Sequence, residues 1–137
     1  MPESNKALAR EFYEKVSAGD LSVTDTHVAD NLIEHEEFPG IPPNKEGVRM
    51  FFQMMRSAFP DFRMSVEDII EEGDKLVVRF RMQGTHRGEF MGIPATGKQV
   101  NIQGIDILRI VDGKAVEHWG VTDTGMMMQQ LGVGGPQ

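Results

Sequence analysis

The sequence predicts an α+β domain in which helices cover one face of a curved antiparallel sheet. Three observations carry that prediction. Apolar residues recur at helical spacing over most of the first sixty positions. From Phe62 onward they alternate with polar residues, the period of a half-buried strand. Asp112-Gly113 is a two-residue hairpin signal between two such runs. Helices gathered ahead of a strand meander argue for α+β. A long sheet curving over helices leaves a concave space suited to a small molecule.

Each element has a local cause. Pro2 and Glu3 suit a first helical turn, where a missing N–H costs nothing and negative charge meets the dipole. Leu8, Phe12 and Val16 form the stripe of that helix, and Gly19 stops it. A short second helix is expected over 21–29, with Leu21, Thr24 and Val28 on one side. Ile33 and His35 then alternate with Leu32, Glu34 and Glu36, so 31–37 reads as a short strand. A Pro- and Gly-rich loop over 38–43 leads to Asn44, a good N-cap. Val48, Phe51, Phe52, Met55 and Phe59 form the strongest helical face, ended by Pro60.

The strands follow. Phe62, Met64 and Val66 alternate with Arg63, Ser65 and Glu67, and residues 71–74 form a turn. Leu76, Val78, Phe80 and Met82 mark the next strand. Residues 92–97 form a loop, 100–111 a strand and 115–121 its hairpin partner. Asp123 caps a last helix over 124–131, closed by Gly132, and 132–137 read as a frayed tail. Met126, Met127 and Met128 are expected to pack in the core or at a subunit contact.

Composition narrows the chemistry. At 137 residues the chain is long enough for one domain, 1–137, with a sizeable core. It has no cysteine, which excludes a disulfide scaffold, a thiolate zinc site and a cysteine nucleophile. A formal charge of −7 disfavours nucleic acid, whose phosphates demand clustered Lys and Arg. No apolar run approaches the ~20 residues of a membrane helix. The N-terminus is charged and helical in character, unlike a signal peptide. The expectation is a cytoplasmic protein that binds neither nucleic acid nor membrane and works with His, Asp, Glu or backbone groups.

Period two assigns each polar side chain a face. His86 shares a face with Leu76, Val78, Phe80, Met82 and Gly84. Asp106 shares one with Val100, Ile102, Gly104, Leu108 and Ile110. Ile105 and Ile107 on the other side of that strand suggest cover on both faces. His35 goes with Ile33, Trp119 with Glu117 and Val121, and His118 with Val116. Asp106 is the most informative. Burial pushes a carboxylate toward its neutral form, which suits a general acid or base near neutral pH. The competing reading is an aspartate satisfied by a turn or an arginine. A lone histidine such as His86 is more often a satisfied core group, and Trp119 reads as core or pocket wall. Asp123 reads as a helix cap, Glu117 as paired or solvated. His35, His86 and Asp106 could form a two-His-one-carboxylate set, but no H-x-H or H-x-x-x-H spacing supports it, so no metal is expected. The 92–97 loop lacks the Gly-Lys-Ser/Thr ending of a phosphate cradle, and no serine sits in a nucleophile elbow.

The run 84–98, G-T-H-R-G-E-F-M-G-I-P-A-T-G-K, resembles the SnoaL-like polyketide cyclase (ester cyclase) family. So do Gly104-Ile105-Asp106, Asp112-Gly113-Lys114 and Glu117-His118-Trp119. The resemblance spans nearly the whole chain, and the first block together with E-H-W is what makes it specific. It implies an NTF2-like cone, a curved antiparallel sheet packed against helices around a pocket, and a homodimer or homotetramer joined through the sheet. It implies closure of a polyketide-type ring by intramolecular aldol condensation, with no metal or organic cofactor. Asp106 would be the acid/base and His86 a hydrogen-bond donor to the enolate oxygen. His35, Phe52, Phe80, Met82 and Trp119 would line the site of a small apolar or polyketide-like ligand. Gly120 stands where many relatives carry Asp, which removes a possible second pocket carboxylate. The alternatives are an isomerase, dehydratase or hydrolase of a small apolar molecule, or a non-catalytic ligand binder.

Overall fold

The structure is a computed structural model and describes residues 4–133. Pro2, Glu3 and the last four residues, where a helix start and a frayed tail were expected, lie outside the described residues. In chain order the elements are α1 (Asn5–Ser17), α2 (Val23–Thr26), β1 (Val28–Glu34), α3 (Lys45–Ala58), β2 (Arg63–Glu72), β3 (Lys75–Thr85), β4 (Gln99–Val111), β5 (Lys114–Thr122) and α4 (Thr124–Leu131). The five strands form one unclosed sheet in the order β1-β5-β4-β3-β2. β2 to β5 are an antiparallel meander, and β1 joins β5 in parallel at one edge. No helix among the described residues is long and apolar enough to cross a membrane.

The local signals act as their chemistry dictates. Ser4 Oγ caps α1 by accepting from Ala7 N at 3.1 Å. The Asn44 side chain accepts from Gly47 N at 2.9 Å, and Asp123 accepts from Met126 N at 3.1 Å. Asp112 and Gly113 take φ of 51° and 77°, the two positive values of a type I′ hairpin turn.

Glu71 and Glu72, expected in a turn, end β2 by pairing with Leu76 and Lys75, so the turn narrows to Gly73-Asp74. Two further differences from the sequence expectation concern the site. The second helix stops at Thr26, because Val28 already pairs with Ala115 at the start of β1. The short strand therefore runs over Val28–Glu34 rather than 31–37. The second difference is a bulge in β5. Ile110 pairs with Ala115 but Arg109 pairs with Glu117, which leaves Val116 as the extra residue. Continued without it, the hairpin register would set Asp106 opposite Trp119. With it, Asp106 faces Gly120 and Leu108 faces His118. A one-residue slip sends every side chain to the other face.

The core lies between the helices and the concave sheet face. Val16, Ala58, Phe59, Leu76 and Val78 are fully buried there. A β-carbon at Gly104 would lie 2.2 Å from Phe80 Cζ, so only glycine leaves room for that ring. Phe80 in turn stacks on Tyr13 of α1, centroids 6.2 Å apart, and so fixes where the phenol points. Phe80→Ala would cost about 3–5 kcal/mol by cavity formation and would release Tyr13 as well. The convex face is open in the single chain. Ile105 is exposed and Val121 is 76% exposed, so the cover expected on both sides of β4 does not come from the described residues.

Candidate active site

A cavity of about 130 Å³ lies between α1, α3 and the concave sheet. Leu8 and Phe12 of α1, Phe51 and Phe52 of α3, and Phe80 and Met82 of β3 give it apolar walls. His27 after α2 and Thr122 at the end of β5 also line it, and four further polar groups converge in it: Tyr13 of α1, Glu34 at the end of β1, Asp106 of β4 and His118 of β5. Glu36, in the turn just after β1, joins them.

These groups form a connected chain. Tyr13 Oη donates to Asp106 Oδ2 at 2.5 Å. The other Asp106 oxygen, Oδ1, lies 2.8 Å from His118 Nε2. His118 Nδ1 lies 2.5 Å from Glu34 Oε1. Carboxylates only accept, so both imidazole nitrogens are placed to donate, and the ring sits as an imidazolium between two anions. Glu36 stands beside them, with Oε2 accepting from Thr122 Oγ1 at 3.1 Å.

The electrostatics follow from burial and pairing. For His118, burial opposes the charged form most strongly. Hydrogen bonds to Asp106 and Glu34, with their charges, outweigh it and push the imidazole up to about 10. Burial first, then the Asp106 charge, raise the Tyr13 phenol well above its ordinary value, so it stays a neutral donor. Glu36 is raised by its own burial first and by the Asp106 charge second, with the His118 charge and the Thr122 hydrogen bond opposing.

Glu36, Asp106 and His118 each offer a ligand atom within 4.8 Å of the others, so geometry alone would admit a metal ion. His118 Nε2 lies 2.8 Å from Asp106 Oδ1, so a metal ion there would have to displace the proton the two share.

Of the residues singled out from sequence, Asp106, Phe52, Phe80 and Met82 line the cavity. His86, His35 and Trp119 do not. His86 is fully buried at the base of the 86–98 loop, where Nδ1 accepts from Thr96 N at 3.2 Å and the ring packs 5.4 Å from Phe59. Its face was read correctly, but that face continues past the cavity into the loop. Backbone donors Arg87 N and Gly88 N bind Ala58 O at 3.0 Å each, so the G-T-H-R-G run seals the end of α3. His35 and Trp119 stack on each other outside the sheet, 5.0 Å apart. The β5 bulge turns Trp119 outward, and β1 presents Leu32 and Glu34 inward while Ile33 is exposed.

Four site residues were missed: Tyr13, Glu34, Glu36 and His118. Signals for three existed. Ala9, Tyr13 and Val16 recur at i, i+4, i+7 and are all buried. Glu34 and Glu36 share a period-two face with Leu32, which is buried. His118 needed the bulge, which no local pattern announced.

Comparison with known proteins agrees with this architecture. The SnoaL-like polyketide cyclase family model matches residues 7–131. Among solved structures, TsrD from Streptomyces laurentii superposes with a TM-score of 0.84 at 28% identity, over 96% of this chain and 98% of that one. IdmH from Streptomyces antibioticus, a candidate polyketide cyclase, gives 0.83 at 32% identity, over 96% of this chain and 100% of that one. Aklanonic acid methyl ester cyclase DnrD of Streptomyces peucetius is 36% identical over 62 residues. That stretch is 45% of this chain and 43% of DnrD, so less than half of the curated cyclase is matched. A curved sheet with helices over its concave face, and a family match from 7 to 131, lead to one statement: the chain belongs to the SnoaL-like polyketide cyclase family.

Proposed function

We propose that this protein closes a ring in a polyketide-type carbonyl substrate by intramolecular aldol condensation, with Asp106 as acid/base. One observation supports this above the others. The Asp106 carboxylate enters an apolar cavity and is held through both oxygens, by Tyr13 and by His118. A carbon between two carbonyls is acidic enough for a carboxylate to deprotonate. Each Asp106 oxygen has a second lone pair free for that proton. The apolar walls hold the chain folded so that the carbanion meets its carbonyl, a positioning effect that can supply ~7–11 kcal/mol in favourable cases. His118 and Tyr13 keep the carboxylate in one orientation and act as positioning residues.

A groove of about 480 Å³ shares Glu36, Phe38, Phe51, Met82 and Thr122 with the cavity, so a substrate of several rings has room across both. DnrD and its counterpart DauD are cyclases of aklanonic acid methyl ester by name, which makes that ester the first compound to try. Asp106→Asn keeps the shape and removes the base. Turnover should fall at least about 100-fold, with circular dichroism and ligand binding unchanged. Wild-type turnover in the Asn protein would remove Asp106 from the chemistry. Binding of the ester without turnover by the wild type would make this a ligand-binding protein instead.

A further inference from the structure

We propose that Glu36 is the proton donor of this site, protonating the carbonyl oxygen that becomes an alkoxide while Asp106 takes the carbon-bound proton. The proposal rests on the cyclisation reading above and adds to it the residue that completes the proton balance.

Space is the first argument. A β-carbon at position 120 would lie 2.5 Å from Glu36 Oε1, 2.8 Å from Asp106 Oδ1 and 2.9 Å from His118 Nε2. Gly120 is therefore the gap into which the three polar groups converge. Glycine at 120 does not empty the site of a second carboxyl group. It admits one from the turn after β1.

Charge is the second argument. The groups facing Glu36 are Asp106 on β4, His118 on β5 and Glu34 on β1. Tyr13, a neutral phenol, faces the same cluster from α1. One imidazolium between two carboxylates leaves a net charge of −1. Ionised Glu36 would make it −2 in a buried site where charges are poorly screened. A proton on Glu36 keeps the count at −1, the direction in which burial and the Asp106 charge pull its carboxyl group, against the His118 charge and the Thr122 hydrogen bond.

Reach is the third. Both Asp106 oxygens are engaged by Tyr13 and His118, whereas Glu36 lines the cavity and the neighbouring groove alike. Its carboxyl group thus stands where a ligand crosses between the two. The step balances. The C–H pair forms the new C–C bond, and its proton goes to Asp106. The carbonyl π pair moves to oxygen, which takes the Glu36 proton. Return of the proton from Asp106 to Glu36 through solvent restores the start.

The test separates the two carboxyl groups. With aklanonic acid methyl ester in D₂O, deuterium uptake at the acidic carbon above the rate without protein reports Asp106, and ring closure reports both. Glu36→Gln should retain uptake within about threefold and lose ring closure about 100-fold. Wild-type closure should fall as pH rises through the raised Glu36 value, and the residual closure of the Gln protein should lack that limb. Asp106→Asn should lose both signals. Independently of any substrate, ¹³C-carboxyl NMR of labelled glutamates should show one resonance, absent in Glu36→Gln, that titrates above the others. Undiminished ring closure in Glu36→Gln, or a Glu36 resonance that titrates with the exposed glutamates, overturns the proposal. A wild-type protein that neither exchanges nor cyclises the ester overturns the cyclase reading, and this proposal with it.

Discussion

β1 and β5 carry two histidine–carboxylate clusters, one on each face of the sheet. Outside, His35 Nε2 bonds Glu117 Oε2 at 2.7 Å and Arg109 Nε bonds Glu117 Oε1 at 3.2 Å. Inside, His118 stands between Glu34 and Asp106. The members are sequence neighbours: Glu34 beside His35, Glu117 beside His118. Register pairs Glu34 with His118 and Ile33 with Glu117. Residue type does not separate the clusters; water does. The His35 side chain is 41% exposed and that of His118 is 16%. Outside, the hydrogen bond from His35, then those from Arg109, hold Glu117 below the usual carboxylate range. Such an exposed pair is screened and contributes little. Inside, the same kind of contact raises His118 to about 10 against the full cost of burial. Pairing made in the dark of the cavity sets a proton's place. Made in water, it decorates a surface.

The largest effect should come from breaking the inner cluster. His118→Gln leaves Glu34, Glu36 and Asp106 facing one another without the cation between them. Removing one partner of a buried pair costs about 3–5 kcal/mol. The pH dependence has a definite sign. A folded-state value near 10, against 6.5 for the free imidazole, means stability fully present below pH 6.5 and lost as pH rises through 10. Urea midpoints of the wild type should therefore decline across that window, and those of His118→Gln should not. Equal midpoints for the two proteins at pH 6.5 would show that the inner pairing contributes nothing.

A smaller effect should follow from crowding the cluster without removing a member. In Gly120→Ala the new methyl group must displace something, and the Glu36 carboxyl group is the far end of a flexible side chain. Glu36 should swing away, lowering ring closure roughly tenfold through misplacement. Global stability should change by less than about 1 kcal/mol. Deuterium uptake from the carbon acid should survive. A loss of uptake equal to the loss of closure would mean that Asp106, not Glu36, had moved.

How much of this could be read in advance is a matter of register. Elements set by local chemistry were legible: Asn44 and Asp123 as caps, Asp112-Gly113 as the turn, and the alternation that placed Asp106, Phe80 and Met82 on the inner face. Phe52 followed from helical spacing. Illegible were positions set by pairing between distant strands. The extra residue Val116 exchanges Trp119 for His118 on the cavity side, and only the β4–β5 pairing reveals it. The resemblance implied His35 as a site residue, yet Ile33, which shares its face, is exposed, and His35 just past β1 lies on the outer side with it. His86 lay in the most recognisable run of the sequence, and that run builds a loop over α3 instead of a site.

The smallest effect should come from the outer cluster, and it is the control on which the comparison depends. His35→Asn removes the bond to Glu117 and the stack on Trp119, a ring that also lies 5.2 Å from Lys75 Nζ. Arg109 still holds Glu117. The backbone bond from His35 N to His118 O, 2.9 Å, does not depend on the side chain, so the end of β1 and Glu34 should stay in place. Ring closure should match the wild type, and the change in urea midpoint should be no larger than for an ordinary surface substitution, shrinking further in high salt. A fall in urea midpoint in His35→Asn on the scale of His118→Gln would mean that the two faces of β1 and β5 communicate, and exposure would no longer be what separates one cluster from the other.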